Sequence, residues 1–258
     1  MIFKTAGFIG GGRIVRIILN GWKRKNAMPS EIKVLEIKPE VAERLKKQFP
    51  EVVLVTSFDG LKSVEIIFLA VHPPVLPDIL PELKNLLTEK VVVCSFVPRF
   101  NLSKLMEALG GFSRIIRMNP LASSFVNAGY NPASFGSGIR SEDKAKFIQQ
   151  MSILGQVPEV NDDMIEVYAS ISAMGPSYLW FLFYELVSIA ESFGLSHRQA
   201  LETVSSMLIG AARVMIESGL GSDEVMDLIP ARPMAEEEDK IKKIYNQKIK
   251  EIYNRLKS

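Results

Sequence analysis

The feature that most constrains the fold is a glycine-rich turn between a short apolar segment and an amphipathic one near the start of the chain. The apolar segment Thr5–Ile9 leads into three consecutive glycines at 10–12, and a helical pattern of apolar residues follows over residues 13–25. Gly10 and Gly12 match the first two glycines of the pattern G-x-G-x-x-G. This order predicts a strand, a tight turn and a helix, which together form the first unit of a parallel sheet.

The same alternation of apolar and amphipathic segments continues over the first half of the chain. Several apolar segments are rich in valine and isoleucine, as strands covered on both faces of a sheet require. The other predicted strands are 33–36, 52–55, 66–71, 91–96 and 115–118, and the predicted helices are 13–25, 39–48, 77–87 and 102–109. We therefore predict an α/β fold with a Rossmann-type, doubly wound sheet over residues 1–160.

The pattern changes past residue 160, because no further strand-like segment follows. Asp162 or Asp163 can cap a long helix that runs toward residue 194. A serine and a glutamine at 196 and 199 have the spacing of a capping box for the next helix. From residue 236 onward apolar residues recur on one helical stripe, which must be buried in this chain or against a partner. Residues 161–258 are therefore predicted to form an all-helical C-terminal domain.

The glycine-rich turn has the properties of a diphosphate-binding site. Gly10 allows the tight turn, and Gly12 lets the backbone approach a phosphate because no Cβ stands in the way. The following helix offers free N–H groups and the positive end of its dipole to an anion. The Gly-Lys-Ser/Thr ending of a Walker loop is missing, so the pattern favours a dinucleotide. The predicted dinucleotide-binding residues of this turn are Gly7, Gly10, Gly11, Gly12, Arg13 and Ile14.

Residues at the ends of two further strands extend the predicted dinucleotide site. Glu36 follows the second predicted strand, 26 residues after Gly10. A carboxylate there accepts hydrogen bonds from the ribose hydroxyls of NAD and repels the 2′-phosphate of NADP, so NAD is favoured over NADP. The fourth strand ends in Ala70-Val71-His72-Pro73, at the edge where ligands bind in this fold. For His72 a place beside the cofactor or in solvent is favoured over a role as general acid.

Composition argues against several other classes of function. The net charge is +2, so no strong field attracts nucleic acid or an anionic membrane, and no apolar window is long enough to span a bilayer. The chain contains one cysteine, Cys94, which excludes an internal disulfide and favours a reducing, cytoplasmic location. No metal site is predicted. The expected ligands are a nicotinamide coenzyme and a small-molecule substrate.

Several short motifs resemble those of the pyrroline-5-carboxylate reductases, in the same order and over nearly the whole chain. They are GFIGGGRI at Gly7–Ile14, FLAVHPP at Phe68–Pro74, EALGG at Glu107–Gly111, the segment Arg117–Gly129, SAMGPSY at Ser172–Tyr178 and GAARVM at Gly210–Met215. The resemblance implies a dinucleotide-binding Rossmann domain and a helical domain that contributes to substrate binding and forms a homodimer or higher homo-oligomer. It further implies hydride transfer from NAD(P)H to the C=N bond of 1-pyrroline-5-carboxylate, which gives proline. On the same ground Asn119 and Pro120 are expected beside the nicotinamide, and Ser172, Gly175 and Pro176 beside the substrate.

The chain departs from the family's pattern on the substrate side. Met174 replaces a hydroxyl residue, and Leu121 stands at an asparagine position. Pro230-Ala231-Arg232-Pro233-Met234 stands where the family has its SPGGTT loop, which binds the substrate carboxylate. Arg232 then either takes over carboxylate binding through its guanidinium or is merely exposed to solvent. Alternatively, Met174 and Leu121 make the pocket more apolar and the substrate differs.

Two further functions remain open at this point. One is a related reductase of another imine or of a keto acid. Reductases of hydroxy and keto acids usually carry a catalytic lysine in the helix between the domains, and residues 162–194 contain none. The other is a regulator that binds a dinucleotide without turnover, a possibility that the missing SPGGTT loop raises.

Overall fold

The computed structural model describes residues 2–257, which group into two compact units. One unit contains residues 2–174 and 252–257, and the other contains residues 175–251. The predicted boundary between the domains lies between residues 160 and 161. The division between the two units lies between residues 174 and 175, so residues 161–174 belong to the first unit. The assignment of cofactor binding to one domain and substrate binding to the other stays a prediction.

The first unit is built around a parallel-dominated sheet of seven strands. These strands are β1 Thr5–Ile9, β2 Glu31–Leu35, β3 Val53–Val55, β4 Ile66–Leu69, β5 Val92–Ser95, β6 Ile115–Met118 and β8 Ala133–Phe135, while β7 Gly129–Tyr130 pairs with β9 Gly155–Gln156 outside the sheet. The order is β3-β2-β1-β4-β5-β6-β8, and only β8 runs antiparallel to its neighbour. The first six strands have the 3-2-1-4-5-6 order of the Rossmann fold, which confirms the predicted fold class.

Helices account for most of the remaining described residues. They are α1 Arg13–Arg24, α2 Pro39–Gln48, α3 Leu76–Lys84, α4 Leu102–Ala108, α5 Ser141–Met151, α6 Ile165–Tyr168, α7 Gly175–Ser192, α8 His197–Glu217, α9 Ser222–Asp227 and α10 Glu238–Lys257. In the second unit all the regular elements are helices. No helix found within residues 2–257 is both long and apolar enough to cross a membrane.

The core of the first unit has one apolar layer on each face of the sheet. Successive strand residues point to opposite faces, so Phe68 packs in one layer while Ile67 and Leu69 pack in the other. The rings of Phe8 and Phe68 stack at 4.7 Å between centroids in the first layer. Cys94 lies fully buried in that same layer, and burial raises the pKa of its thiol well above the ordinary value. The cysteine is therefore a core residue.

The helix predicted to start at Asp162 or Asp163 is not one continuous α-helix. Residues Asp162–Met164 form a 3₁₀ turn, α6 is a single turn, and Ala169–Ala173 form a π-helix before α7 begins. The predicted cap is also wrong, because Asn161 occupies the N-cap position. The Asp162 carboxylate instead accepts a hydrogen bond of 2.7 Å from the backbone N–H of Leu102, at the start of α4. In the second unit, by contrast, the capping box of Ser196 and Gln199 is confirmed.

Candidate functional site

A cleft of about 330 Å³ opens at the carboxyl ends of β1, β4, β5 and β6. This edge of the sheet, where the strand order reverses, is where ligands bind in doubly wound folds. Among the residues predicted from sequence, those at 12–14, 70–72 and 119–120 line the cleft. The structure therefore brings together residues from three widely separated stretches of the chain.

Five lining residues were missed by the sequence analysis, namely Phe96, Pro98, Ala169, Ala173 and Leu256. Phe96 and Pro98 follow β5 directly, so the rule that ligands bind at the carboxyl ends of strands could have found them. No comparable signal marked Ala169, Ala173 or Leu256. Most of these side chains are apolar, and they give the cleft a largely apolar wall.

The glycine turn at the N-terminus of α1 fits a diphosphate. Gly10 has a φ of +95°, and a Cβ there would lie 2.6 Å from the carbonyl oxygen of Ala70. Gly12 is the N-cap residue, has extended backbone angles and, because it has no side chain, offers no cap to the first N–H groups of α1. A Cβ on Gly12 would meet no described atom within 4 Å. The space before the first free N–H groups of α1 is thus open, as an anion requires.

Arg13 adds a positive charge at the same helix end. It is the first residue of α1, is exposed and lines the cleft, while the first turn contains no acidic residue. A cation at a helix N-terminus opposes the helix dipole, so this position does not favour the helix. The same position does favour a bound anion, because the guanidinium and the helix N–H groups attract the same charge. Arg13 therefore strengthens the fit to a diphosphate.

Glu36 lies beside the glycine turn, as predicted. Its carboxylate accepts hydrogen bonds from the backbone N–H of Gly11 at 2.7 Å and from that of Lys38 at 2.8 Å. These contacts fix the half-buried side chain next to the turn, where an acidic group in this fold meets the adenosine ribose. The neighbouring Ile37 is 82% exposed, so its side chain leaves an apolar surface open next to Glu36.

Besides Gly10 and Glu36, three predicted cofactor residues lie outside the cleft lining. Gly7 is in the interior of β1, and a Cβ there would lie 3.1 Å from Leu61, so it serves close packing of the sheet. Gly11 is buried behind the turn and contributes its N–H to Glu36. Pro73 starts a short 3₁₀ helix, Pro73–Val75, and the exposed His72 lies at its N-cap. Of this strand end, residues 70–72 face the cleft and Pro73 does not.

The residues expected at the substrate are distributed over both units. Ser172 lies in the π-helix of the first unit, and its hydroxyl donates to the carbonyl oxygen of Tyr168 at 2.7 Å. Gly175 and Pro176 are the first residues of α7 in the second unit, where proline suits a position that needs no N–H donor. Met174 lines the cleft, as the apolar interpretation requires.

Leu121 does not line the cleft, so the prediction that it makes the pocket more apolar is wrong. It is 7% exposed, and its backbone N–H donates to Oδ1 of Asn131 at 2.8 Å. The turn that follows β6 is therefore held from behind by Asn131, and the Leu121 side chain is directed into the protein. The neighbouring Asn119 remains at the cleft, and its Nδ2 donates to the carbonyl oxygen of Ile165 at 2.6 Å.

Arg232 is engaged with a carboxylate of its own unit. Its guanidinium pairs with Glu238, which also binds Nζ of Lys242 at 2.5 Å. The hydrogen bond from Lys242 and the charge of Arg232 lower the pKa of Glu238 below its ordinary value. Half of the Arg232 side chain is exposed. A role in binding a substrate carboxylate would require it to exchange this partner, and that role stays a prediction.

Comparisons with known proteins agree with this geometry. A family model described as NADP oxidoreductase, coenzyme F420-dependent, matches residues 5–98, which include the glycine turn. Pyrroline-5-carboxylate reductase of Escherichia coli (strain K12) is 26% identical over 227 residues, which cover 88% of this chain and 84% of that protein.

Solved structures extend the similarity to the whole described fold. Pyrroline carboxylate reductase of Plasmodium falciparum, solved with NADP bound, has a TM-score of 0.85 at 19% identity, covering 98% of this chain and 97% of that one. A pyrroline-5-carboxylate reductase from Coxiella burnetii has a TM-score of 0.75 at 25% identity, covering 100% of this chain and 98% of that one. Sequence motifs, fold and cleft thus lead to one conclusion: this chain is similar in sequence and in fold to the pyrroline-5-carboxylate reductases.

Proposed function

We propose that this chain is an NAD(P)-dependent reductase of a small cyclic imine, and that its substrate is 1-pyrroline-5-carboxylate, which it converts to L-proline. The observation that carries the proposal is the open glycine turn at the mouth of α1, which leads into a cleft at the switch point of a Rossmann sheet. Similarity to pyrroline-5-carboxylate reductases over 88% of the chain supports the choice of reaction.

The residues of the cleft have distinct tasks in this proposal. The N–H groups at the start of α1 and the Arg13 guanidinium bind the diphosphate, and Asn119 with Pro120 places the nicotinamide. A bound dihydronicotinamide supplies the hydride. The apolar wall that includes Phe96 and Met174 orients the ring of the substrate.

Ser172 is not assigned the role of proton donor in this proposal. Its hydroxyl hydrogen is directed to the carbonyl oxygen of Tyr168, so it is not free for donation to a substrate nitrogen. In this proposal the imine nitrogen therefore takes its proton from solvent. Gly175, Pro176 and Arg232 are kept as candidates for contact with the substrate.

We also propose that NAD is the preferred coenzyme. The Glu36 carboxylate, fixed by two backbone N–H groups, supports this preference because it accepts bonds from ribose hydroxyls and repels a 2′-phosphate. The NADP in the Plasmodium falciparum structure and the NADP named in the family description support a nicotinamide dinucleotide in general. A cytoplasmic location likewise remains a prediction, based on a single cysteine that is buried.

A homodimer or higher homo-oligomer formed through the helical unit is part of the proposal. Large apolar side chains are exposed along its helices: Phe181 at 63% on α7, Phe193 at 82% directly after α7, and Met215 at 73% and Ile216 at 81% on α8. Monomeric soluble proteins rarely expose so many apolar side chains close together, because the hydration of apolar surface is unfavourable. A second copy of this chain is the partner we propose for this surface.

Steady-state kinetics test the proposed reaction. We expect loss of NADH absorbance when 1-pyrroline-5-carboxylate is added, and formation of proline in equal amount. A panel of cyclic imines without a carboxylate and of short 2-oxo acids identifies a shifted substrate, which the apolar Met174 in the cleft would favour. Tight NADH binding without turnover on any compound would instead support a dinucleotide-binding regulator.

A further inference from the structure

Arg117 is a buried charged residue to which the proposed reaction assigns no task. It is 1% exposed and lies in β6, two residues before Asn119 at the cleft. Its guanidinium donates to Oδ1 of Asp162 at 2.6 Å and to Oε1 of Glu166 at 2.5 Å. Burial of a charge is unfavourable unless partners replace its water, and these two carboxylates do so.

The two carboxylates that pair with Arg117 hold two other elements against β6. Glu166 is 7% exposed and belongs to α6, while the second oxygen of Asp162 binds the N–H of Leu102 at the start of α4. Asn119 adds a contact from the same strand end, because its Nδ2 donates to the carbonyl oxygen of Ile165. The end of β6 thus fixes the helical segment from residue 162 to 166 at several atoms.

This segment leads directly into the wall of the cleft. It continues as the π-helix Ala169–Ala173, and the N–H of Met174 donates to the carbonyl oxygen of Ala169 at 3.1 Å. Ala169, Ala173 and Met174 all line the cleft. Single π-helical turns inside helices occur frequently at functional sites. The position of this wall relative to Asn119 is therefore set by the contacts that Arg117 makes.

We propose that Arg117 is a positioning residue of the active site. Through Asp162 and Glu166 it fixes the gap between the wall formed by Ala169, Ala173 and Met174 and the turn that carries Asn119 and Pro120. The substrate is then held at the distance and angle that hydride transfer needs. The proposal rests on the proposed function, since it concerns the same cleft.

The chain contains a matched control for this network. Arg114 is also buried, at 8% exposure, and pairs with Oδ2 of Asp143 in α5 at 2.9 Å. Its Nε donates to the carbonyl oxygen of Val91. Neither residue lines the cleft, and no part of α5 does so within the described chain. Neutralising one acidic partner of each arginine gives two variants. Both lose one ion pair of a buried arginine, but only one of these pairs is connected to the wall of the cleft.

The experiment compares Glu166→Gln with Asp143→Asn in the full-length protein. For each variant the melting temperature, the Kd of NADH, and the kcat and KM of the imine at saturating NADH are measured. We expect both substitutions to lower the melting temperature and to leave the Kd of NADH unchanged. Glu166→Gln should lower kcat/KM by about 10- to 100-fold, as small displacements of a bound substrate do, while Asp143→Asn leaves it unchanged. Arg117→Lys, which keeps the charge but loses the planar fork, should lie between the wild-type protein and Glu166→Gln.

Equal effects of the two carboxylate variants on kcat/KM would overturn the proposal and leave Arg117 a purely structural residue. A second readout does not depend on turnover: amide hydrogen exchange over residues 165–173 should be faster in Glu166→Gln than in Asp143→Asn. If the wild-type protein reduces none of the compounds tested, the proposed function fails on its own. The exchange rates then still decide whether Arg117 holds the wall of the cleft, and equal rates in both variants reject it.

Discussion

At the scale of single residues, two glycines of the same turn are required for different physical reasons. Gly10 has a left-handed φ and lies against the carbonyl of Ala70, so the fold itself needs it. Gly12 has a backbone conformation that any residue adopts, and nothing among the described atoms lies within 4 Å of its missing Cβ. The first glycine is therefore structural, while the second keeps a space open for a ligand.

Two alanine substitutions distinguish the structural role of Gly10 from the ligand-binding role of Gly12. We expect Gly10→Ala to lower the free energy of unfolding by about 1–3 kcal/mol, through strain at positive φ and the contact with Ala70. Gly12→Ala should leave unfolding nearly unchanged but raise the Kd of NADH by about 10-fold or more, a loss of ~1.4 kcal/mol. Chemical denaturation and fluorescence titration measure the two effects. Unchanged NADH binding in Gly12→Ala would contradict the site assigned here.

Glu36 is predicted to set the choice of coenzyme. Replacing it by glutamine keeps an acceptor for the Gly11 N–H but removes the charge that repels a 2′-phosphate. We expect the ratio of the NADPH and NADH Kd values to shift toward NADPH by about 10-fold, or ~1.4 kcal/mol. Glu40→Gln, at an exposed position in the first turn of α2, is the control and should leave the ratio unchanged. Equal shifts in both variants would point to a general charge effect.

At the scale of secondary structure, the elements with strong local signals are those that the sequence predicts well. β1 and β6 begin and end at the predicted residues, since each is a short apolar run bounded by turn or polar residues. β8 was not predicted, because three residues carry no periodic pattern. The π-helix also lacks a local signal, since its register depends on contacts made by α6 with β6.

The capping box of α8 provides a prediction at this scale. Oγ of Ser196 accepts a hydrogen bond from the N–H of Gln199, and Oε1 of Gln199 accepts one from the N–H of Ser196. Ser196→Ala should lower the free energy of unfolding by about 1 kcal/mol, because a backbone donor at the helix end loses its partner. Ser206→Ala, at an exposed position within α8, should be neutral or slightly stabilising, since alanine is the better helix former. Denaturation curves of both variants decide the point, and equal values would refute the capping role.

At the scale of the whole molecule, the distribution of exposed apolar side chains differs between the two units. In the first unit they are spread over several separate elements, and Ile37 is one example at 82% exposure. In the second unit they recur along α7 and α8. Such a surface is typical of a helical interface, because burying apolar area contributes about 25 cal/mol per Å² to association.

Oligomeric state is therefore the prediction that belongs to this scale. Ile216 and Ile37 have nearly the same exposure, 81% and 82%, and lie in different units. We expect Ile216→Glu to shift the protein toward a monomer in sedimentation or light-scattering measurements, because a charge would be buried at the interface. Ile37→Glu should leave the mass unchanged. A wild-type protein that is monomeric at all concentrations would exclude the proposed homo-oligomer.

The sequence by itself determined the alternation of strands and helices, the sheet class and the glycine turn, because each of these depends on residues that are close in the chain. Hydrophobic periodicity and backbone sterics act over a few residues, so Thr5–Ile9, Gly10 and Gly12 are sufficient to predict the first βα unit.

Only the tertiary structure decided which distant residues share the cleft and what their side chains already bind. Asp162 was expected to cap its own helix but binds Arg117 and the start of α4, Arg232 pairs with Glu238, and Leu121 is turned inward. These partners are chosen by burial, since a charge or polar group removed from water must find a partner wherever the fold places one. That choice depends on contacts between residues far apart in the chain, which no local pattern records.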